Sequence, residues 1–372
     1  MTPGEDIVLP RRYPYSLPAL AATAQIQPSA RLRRSPLSYV MPVLATALVA
    51  LLVALLVDNF VHGPAYFVTI SFIGLTNGAL YALVALGYTL VYGILELINF
   101  AHGDVFMLGG LFSATIIVSA FHLTGHASTG TLIAAIFASL GVAMAACGLL
   151  NAAIERVAYR PLRGAPRLAP LITAIGMSFI LQNVAIAWKG PGYTAVPLIL
   201  PTGHVFSTHG IVYTWEKLIV VMITLPVLLG LVWLVQKTRQ GKAMRATAQD
   251  RDAAAMMGIN VNRTISFTFL IAGALAGAGG LVYALYYRQI HYDTGFRLGL
   301  IAFTAAVLGG IGNLPGAVLG ALLIGFIQAF NEGLPLHMPG SDWTESIVFS
   351  ILILILVFRP EGLLGERTPE GA

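Results

Sequence analysis

Glu96, His102 and Asp104 fall within nine residues, in the stretch ELINFAHGDV (96–105). Carboxylates beside a histidine can relay protons, hold a metal or assist hydrolysis. Depth decides among these, because a charge at the centre of a bilayer costs about 2.5–3.5 kcal/mol on insertion scales. The apolar run from Tyr66 to Tyr92 would make a helix of about 40 Å, longer than the ~30 Å hydrocarbon core. The stretch is therefore expected at or beyond one membrane interface. Asn99, Gly103 and Asp104 then read as helix punctuation: Gly103 can leave helical geometry, and Asp104 can cap a helix starting at Val105. A structural elbow, a gating contact and a proton relay remain open. A relay needs ionisable residues at several depths, and the other apolar segments offer almost none.

Other chemistries find little support. The phosphate-binding pattern G-x-x-x-x-G-K-S/T is missing, since the Gly241-Lys242 pair is followed by Ala243. Neither H-E-x-x-H nor G-x-S-x-G occurs. His122 and His126 have helical ligand spacing, but Gly125 lies between them and no acidic or cysteine ligand is near, so no metal site is expected. The single cysteine, Cys147, cannot form an intrachain disulfide. No catalytic residue, metal or cofactor is assigned, and ATP hydrolysis by this chain is not expected.

The elements that must carry these residues follow from composition. Of 372 residues, 57 % are hydrophobic and 10 % charged, and mean hydropathy is +0.81; a soluble domain carries about a quarter charged residues. The solvent must be lipid. About ten apolar segments approach the roughly 20 residues a spanning helix needs: 38–57, 66–92, 105–121, 131–150, 168–188, 215–235, 264–287, 298–311, 314–331 and 345–358. Such runs must be helical, since lipid leaves backbone groups no other partner. The ~10-residue alternating units of a membrane barrel are missing. The expected fold class is an all-α polytopic membrane protein with about 8–10 transmembrane helices; 298–331 reads either as two spans or as a re-entrant hairpin.

Most of the 21 Lys and Arg cluster before the first segment, between the fourth and fifth, between the sixth and seventh, and after the last. Cytoplasmic loops collect such residues, so both termini are expected in the cytoplasm. The positive charge thus marks membrane edges rather than nucleic-acid binding. Residues 1–37 read as a disordered basic cytoplasmic tail, 38–362 as the membrane domain, and 363–372 as a second cytoplasmic tail. The apolar run after Arg34 is too long for the core of a cleaved signal peptide.

Inside the segments, Thr76, Asn77 and Gly78 stand out, as do Gln182 and Asn183. An amide in lipid must face the bundle or a cavity, so Asn77 either bonds a neighbouring helix or lies on a translocation path. Asn99 is a further path candidate. The run AGALAGAGG (272–280) and Gly312, Gly316 and Gly320 suit close helix packing. GGIGNLPGA (309–317), with Asn313, breaks a helix in a way tolerated only where protein or water covers it.

The long basic loop QGKAMRATAQDRDAAAMMGINVNR (240–263) reads as a helix over 242–257 stopped by Gly258. Its alanine face is slim enough to enter a groove on another protein; the alternative is an ordinary interfacial helix. The pattern Ala243-x-Arg245-Ala246-x-Ala248-x-Asp250, then Ala254, Ala255 and Gly258-Ile259, resembles the coupling segment of ABC-importer permeases. More narrowly, it resembles the branched-chain amino acid permease family of the LivH type. GLTNGALYALVALGYTLVYGILELINFAHGDVFMLGG (74–110) and AFTAAVLGGIGNLPGAVLGALLIGF (302–326) carry the same resemblance.

The resemblance implies half of a pore in a bacterial cytoplasmic membrane, completed by a second homologous permease subunit and surrounded by lipid. Two cytoplasmic ABC ATPase subunits would dock on Arg245, Ala246, Asp250, Ala254, Ala255, Gly258 and Ile259. An extracytoplasmic substrate-binding protein would meet 189–214. Leucine, isoleucine and valine are the implied cargo, with urea, short amides or sugars as alternatives on the same scaffold. A proton-coupled carrier using Glu96, His102 and Asp104 is the remaining alternative.

Overall fold

A computed structural model describes residues 50–51, 53–123, 128–166, 168–201, 203–336, 338–359 and 361–365. The expected tail 1–37, most of the first apolar segment (38–57), His126 and most of the tail 363–372 lie outside them. Contacts separate Met1–Ala54 from Leu55–Ala372.

The helices are α1 (Val53–His62), α2 (Pro64–Leu95), α3 (Ala101–Thr115), α4 (Thr129–Ile154), α5 (Leu168–Lys189), α6 (Trp215–Lys237), α7 (Arg239–Gln249), α8 (Arg251–Met256), α9 (Val261–Tyr287), α10 (Thr294–Gly309), α11 (Leu314–Gly333) and α12 (Thr344–Phe358). Short π-helical turns extend α3 to Ala120 and α4 to Tyr159. Among the described residues, eight helices are long and apolar enough to cross a membrane. The all-α polytopic class is met. The little sheet present is two small antiparallel pairs, β1 (Thr194–Ala195) with β4 (Gln289–Ile290) and β2 (His204–Thr208) with β3 (Ile211–Thr214). Local signals explain several boundaries. Pro64 opens α2, Ser128 caps α4 through Thr131 N at 3.2 Å, and Asn260 caps α9 through Arg263 N at 3.0 Å.

Helix ends sort onto two faces. On one, Arg251 Nη2 donates to Ile94 O (2.7 Å), Arg163 Nη1 to Asn262 Oδ1 (2.6 Å) and Leu363 N to Leu308 O (2.9 Å). On the other, Val212 N donates to Thr69 Oγ1 (3.2 Å), Asn59 Nδ2 to Leu336 O (3.1 Å), and His291 Nε2 meets Pro191 O (3.0 Å). Arg156, Arg160, Arg163, Lys237, Arg239, Lys242, Arg245, Arg251, Arg263 and Arg359 belong to the first, the basic face.

The core is α2, α3 and α9, and glycine sets how closely its helices approach. A Cβ on Gly277 would strike the backbone of Ala143 and Met144 in α4; one on Gly109 would lie 2.7 Å from Gly277 Cα. Gly78 meets Leu322 Cα of α11 in the same way, at 2.7 Å. Lipid is as apolar as leucine, so packing contact rather than water exclusion must hold these helices together. The run 272–280 does serve packing. Cys147 is buried in this seam, its Sγ 3.3 Å from Val105 O. By contrast, α5, α6 and α12 are largely uncovered, with Phe179, Trp233 and Phe358 exposed.

Two helices begin inside the protein rather than at a face. After Leu95 the chain doubles back through 96–100, and the His102 ring lies 4.9 Å from that of Tyr88, against Gly87. Gly87 is eight residues before the end of α2, about 12 Å along its axis. After Tyr287 the chain doubles back likewise. Ile290 packs on Gly110, and α10 starts at Thr294 beside α3. The two starts touch through glycine: a Cβ on Gly295 would lie 2.8 Å from Asp104 Cα, and one on Gly103 3.0 Å from Gly299 Cα. From this junction α3 runs away from the basic face and α10 runs toward it. The 298–331 region therefore matches neither expected form. The 16-residue α10, about 24 Å long, is a partial span paired with the full-length α11.

Replacing Gly277 with valine is expected to lower stability by about 1–3 kcal/mol, the usual cost of overpacking. Gly141→Val, at a position with nothing within 4 Å, should leave it nearly unchanged. Thermal unfolding midpoints in detergent distinguish the two.

Candidate functional site

The interior start of α3 overturns the expected depth of His102 and Asp104. Asp104 Oδ2 accepts from Ser178 Oγ, and Oδ1 from Gln182 Nε2 at 3.2 Å. Ser178 is ten residues into α5, about 15 Å along the helix and so about halfway through a ~30 Å core. Asp104 does not cap Val105. The helix already starts at Ala101, Phe100 holds the cap position without a side-chain bond, and Gly103 is helical. Burial of the carboxyl is made tolerable by its place: the first turn of α3 and the start of α10 both present their positive ends there.

His102 is fully buried, and neither ring nitrogen meets a partner at hydrogen-bonding geometry. Two residues away from Asp104, it points to α2 rather than α5. Glu96 remains on the basic face, exposed, and ends α2 in the left-handed conformation (φ 55°) with its N–H 2.7 Å from Tyr92 O. That backbone region disfavours residues with a Cβ by roughly 1 kcal/mol or more. The three residues are thus dispersed and form no continuous relay.

The expected path residues also separate. Thr76 Oγ1 donates to Phe72 O of its own helix (2.8 Å). Asn77 is buried, and its Oδ1 accepts from Tyr287 OH at 3.4 Å, joining α2 to α9. Gly78 is a packing contact with α11. Asn99 Oδ1 accepts from Tyr159 OH (2.7 Å), while its Nδ2 has no partner. Asn313 caps α11 through Gly316 N (2.9 Å) and donates to Leu364 O (2.8 Å). Asn183 lies on an exposed face and bonds Phe179 O, whereas Gln182 reaches Asp104.

On the basic face, the expected single helix 242–257 is two. Asp250 (φ −154°, ψ 116°) ends α7 and caps α8, its Oδ1 accepting from Asp252 N (2.8 Å) and Ala253 N (2.9 Å). A carboxylate that can bond two free N–H groups favours a break over helix continuation. Gly258 supplies the expected stop at φ +84°, with Gly258 N on Ala255 O and Ile259 N on Ala254 O, both 3.0 Å. Arg245 donates to Val235 O, Ala246 is half-buried and Ala254 is buried. What projects is a knuckle of Ala255, Met256, Met257 and Gly258, the methionines 82 % and 84 % exposed. Those methionines are adaptable apolar contacts that composition gave no reason to single out.

Sequence reading also missed Glu155. It is fully buried and pairs with Arg163, and it accepts from Ser266 Oγ at 2.5 Å, joining the end of α4 to α9. Burial pulls the Arg163 guanidinium below its ordinary pKa, and Glu155 opposes that pull. A second polar chain runs from Tyr81 to Gln328, Glu332 and Thr344 on the opposite side. No spacing rule joins residues on α2, α11 and α12, so only the tertiary structure could reveal it.

Among the described residues, seven helices link the two faces, α3 and α10 run from the interior to opposite faces, and short α7 and α8 stay on the basic one, which makes this a multi-pass membrane protein of the permease type. It belongs to the family described as "Branched-chain amino acid transport system / permease component", which matches residues 70–357. It is 43 % identical over 300 residues to the high-affinity branched-chain amino acid transport system permease protein BraD of Pseudomonas aeruginosa, covering 80 % of this chain and 95 % of that one. The corresponding permease protein LivH of Escherichia coli is 39 % identical over 309 residues, covering 82 % and 97 %. A shorter match, 31 % over 137 residues, joins it to the autoinducer 2 import system permease protein LsrC of Photorhabdus laumondii, covering 35 % and 40 %. No solved structure matches.

Arg163→Ala would leave Glu155 buried without its cation, a loss of about 3–5 kcal/mol. Removing both charges in Arg163→Ala/Glu155→Ala should recover part of that loss. Thermal unfolding of the single and double variants in one detergent checks it.

Proposed function

We propose that this chain is the transmembrane subunit of an ATP-driven importer for branched-chain amino acids, forming half of the pore in a bacterial cytoplasmic membrane. On this reading the basic face and both termini are cytoplasmic, which accords with the placement of Lys and Arg. A second homologous permease completes the pore, two separate ATPase subunits supply energy, and a binding protein delivers cargo to the opposite face around 189–214. The lack of a phosphate-binding loop in this chain fits that division.

The observation that carries the reading is the knuckle at Ala255–Gly258. It projects from the basic face, yet the arginine that opens its helix holds the end of α2 through Ile94 O. A push on the knuckle by a closing ATPase pair therefore reaches α2. Five residues outside the helices, 96–100, hang α3 from that end, so the displacement continues to the buried junction of α3 and α10. Many polar groups in the spans are spent on their own helix backbone or on a neighbouring helix, which leaves selection of cargo chiefly to the binding protein.

Gly258→Val places a β-branched residue at φ +84° and should deform the knuckle without touching the core. In proteoliposomes with the complete assembly, ATP-dependent leucine uptake should fall at least tenfold while the complex still inserts and the ATPases still hydrolyse ATP. Unchanged uptake would refute the docking role. Uptake driven by a proton gradient without ATP would refute the whole reading.

A further inference from the structure

The basic face holds a cavity of about 320 Å³ that neither the pore nor the knuckle explains. That volume lies in the range of small-ligand sites. It opens where the end of α2, the α7–α8 junction and the 162–170 loop meet, which is the joint through which ATPase motion would pass.

We propose that this cavity binds a small aliphatic α-amino acid as its zwitterion, and that cytoplasmic amino acid bound there slows the importer that delivers it. The inference rests on the functional reading above for its cytoplasmic orientation.

The lining carries both signs of charge. Glu96 presents an exposed carboxylate whose side chain forms no hydrogen bond or ion pair among the described residues. It stands at the C-terminal end of α2, where the helix dipole adds negative potential that Arg251 on Ile94 O answers in part. An ammonium group suits this corner. Arg251, whose Nη2 bonds Ile94 O two residues before Glu96, and Arg163 bring two guanidinium groups near each other, and the carboxylate that answers them, Glu155, is already spent on Arg163 and Ser266. Thr247 adds a fully buried hydroxyl with no partner, an unusual state for a group that could donate a hydrogen bond. A carboxylate suits this corner. Leu95, Leu97, Leu162 and Pro170 add apolar lining beside these groups, which an aliphatic side chain would cover. The left-handed backbone at Glu96 supports the assignment: glycine would be the easier residue there, yet the position carries the carboxylate.

Occupancy would tie the end of α2 to α7 and resist their relative movement, so accumulated product would brake uptake. The test uses the complete assembly in proteoliposomes with ATP in the lumen, which then corresponds to the cytoplasm. Initial uptake of labelled leucine is compared between empty vesicles and vesicles preloaded with unlabelled leucine. Preloading should slow the unaltered assembly at least fivefold, and slow Glu96→Gln and Glu96→Gly less than twofold. Glu96→Gly retains a residue suited to the left-handed conformation, so its loss of response is not misfolding. Lumenal 4-methylpentanoate or 3-methylbutylamine, each carrying one of the two charges, should not slow uptake.

Equal slowing in the variants, no slowing in the unaltered assembly, or slowing by either half-ligand to the extent of leucine would overturn the proposal. Absence of uptake into empty vesicles would instead count against the functional reading. In that case, equilibrium binding of labelled leucine to the assembly in nanodiscs, without the binding protein, decides the site by itself. Binding weakened at least fivefold by Glu96→Gln supports it, and unaltered or absent binding overturns it.

Discussion

The structure depends on one constraint: a carboxyl group, Asp104, must be accommodated about halfway across the membrane. The fold meets it by starting two helices at that point. The first turn of α3 and the first turn of α10 bring unpaired N–H groups and positive dipole ends together. Ser178 and Gln182 of α5 supply two hydrogen bonds. To let two helix starts meet, the chain must double back twice, after α2 and after α9. It must also remove side chains from the contact, and Gly103, Gly295 and Gly299 do so. The long, nearly featureless apolar helices α2 and α9 are the scaffold that makes such interior starts possible.

Around the junction, the same economy of side chains recurs wherever helices cross. Gly109, Gly277 and Gly280 join α3, α4 and α9, and Gly74, Gly78 and Gly325 join α2 and α11. Between the knuckle and the junction the connection is by contrast polar and narrow, with Arg251 on Ile94 O and Tyr159 on Asn99. A rigid glycine-packed core with a few polar ties at one face is a body that can rock as a unit when the ties are pulled.

Much of this was legible in the sequence. Apolar length placed the helices within a few residues, because burial in lipid leaves no other conformation. Gly258 announced its stop, and the glycine runs announced close packing. What failed was depth. ELINFAHGDV was placed at an interface by counting residues along α2, and that count is right for Glu96. It is wrong for Asp104, because a sequence does not show that a chain reverses direction inside a membrane. Asp250 misled for a local reason: helix propensity favours 242–257, but one capping carboxylate outweighs it. The cavity between Glu96 and Arg251 joins residues from three separate segments and left no linear signal.

The seam that buries Cys147 gives the molecule a built-in reporter. The chain has one thiol, enclosed where α3, α4 and α9 meet, against Val105 O and Gly109, with Gly273 of α9 packed on the Cys147 backbone. A reagent can reach that sulfur only when these three helices part. Its accessibility therefore records separation of the central helices during turnover, with no cysteine engineered into this chain.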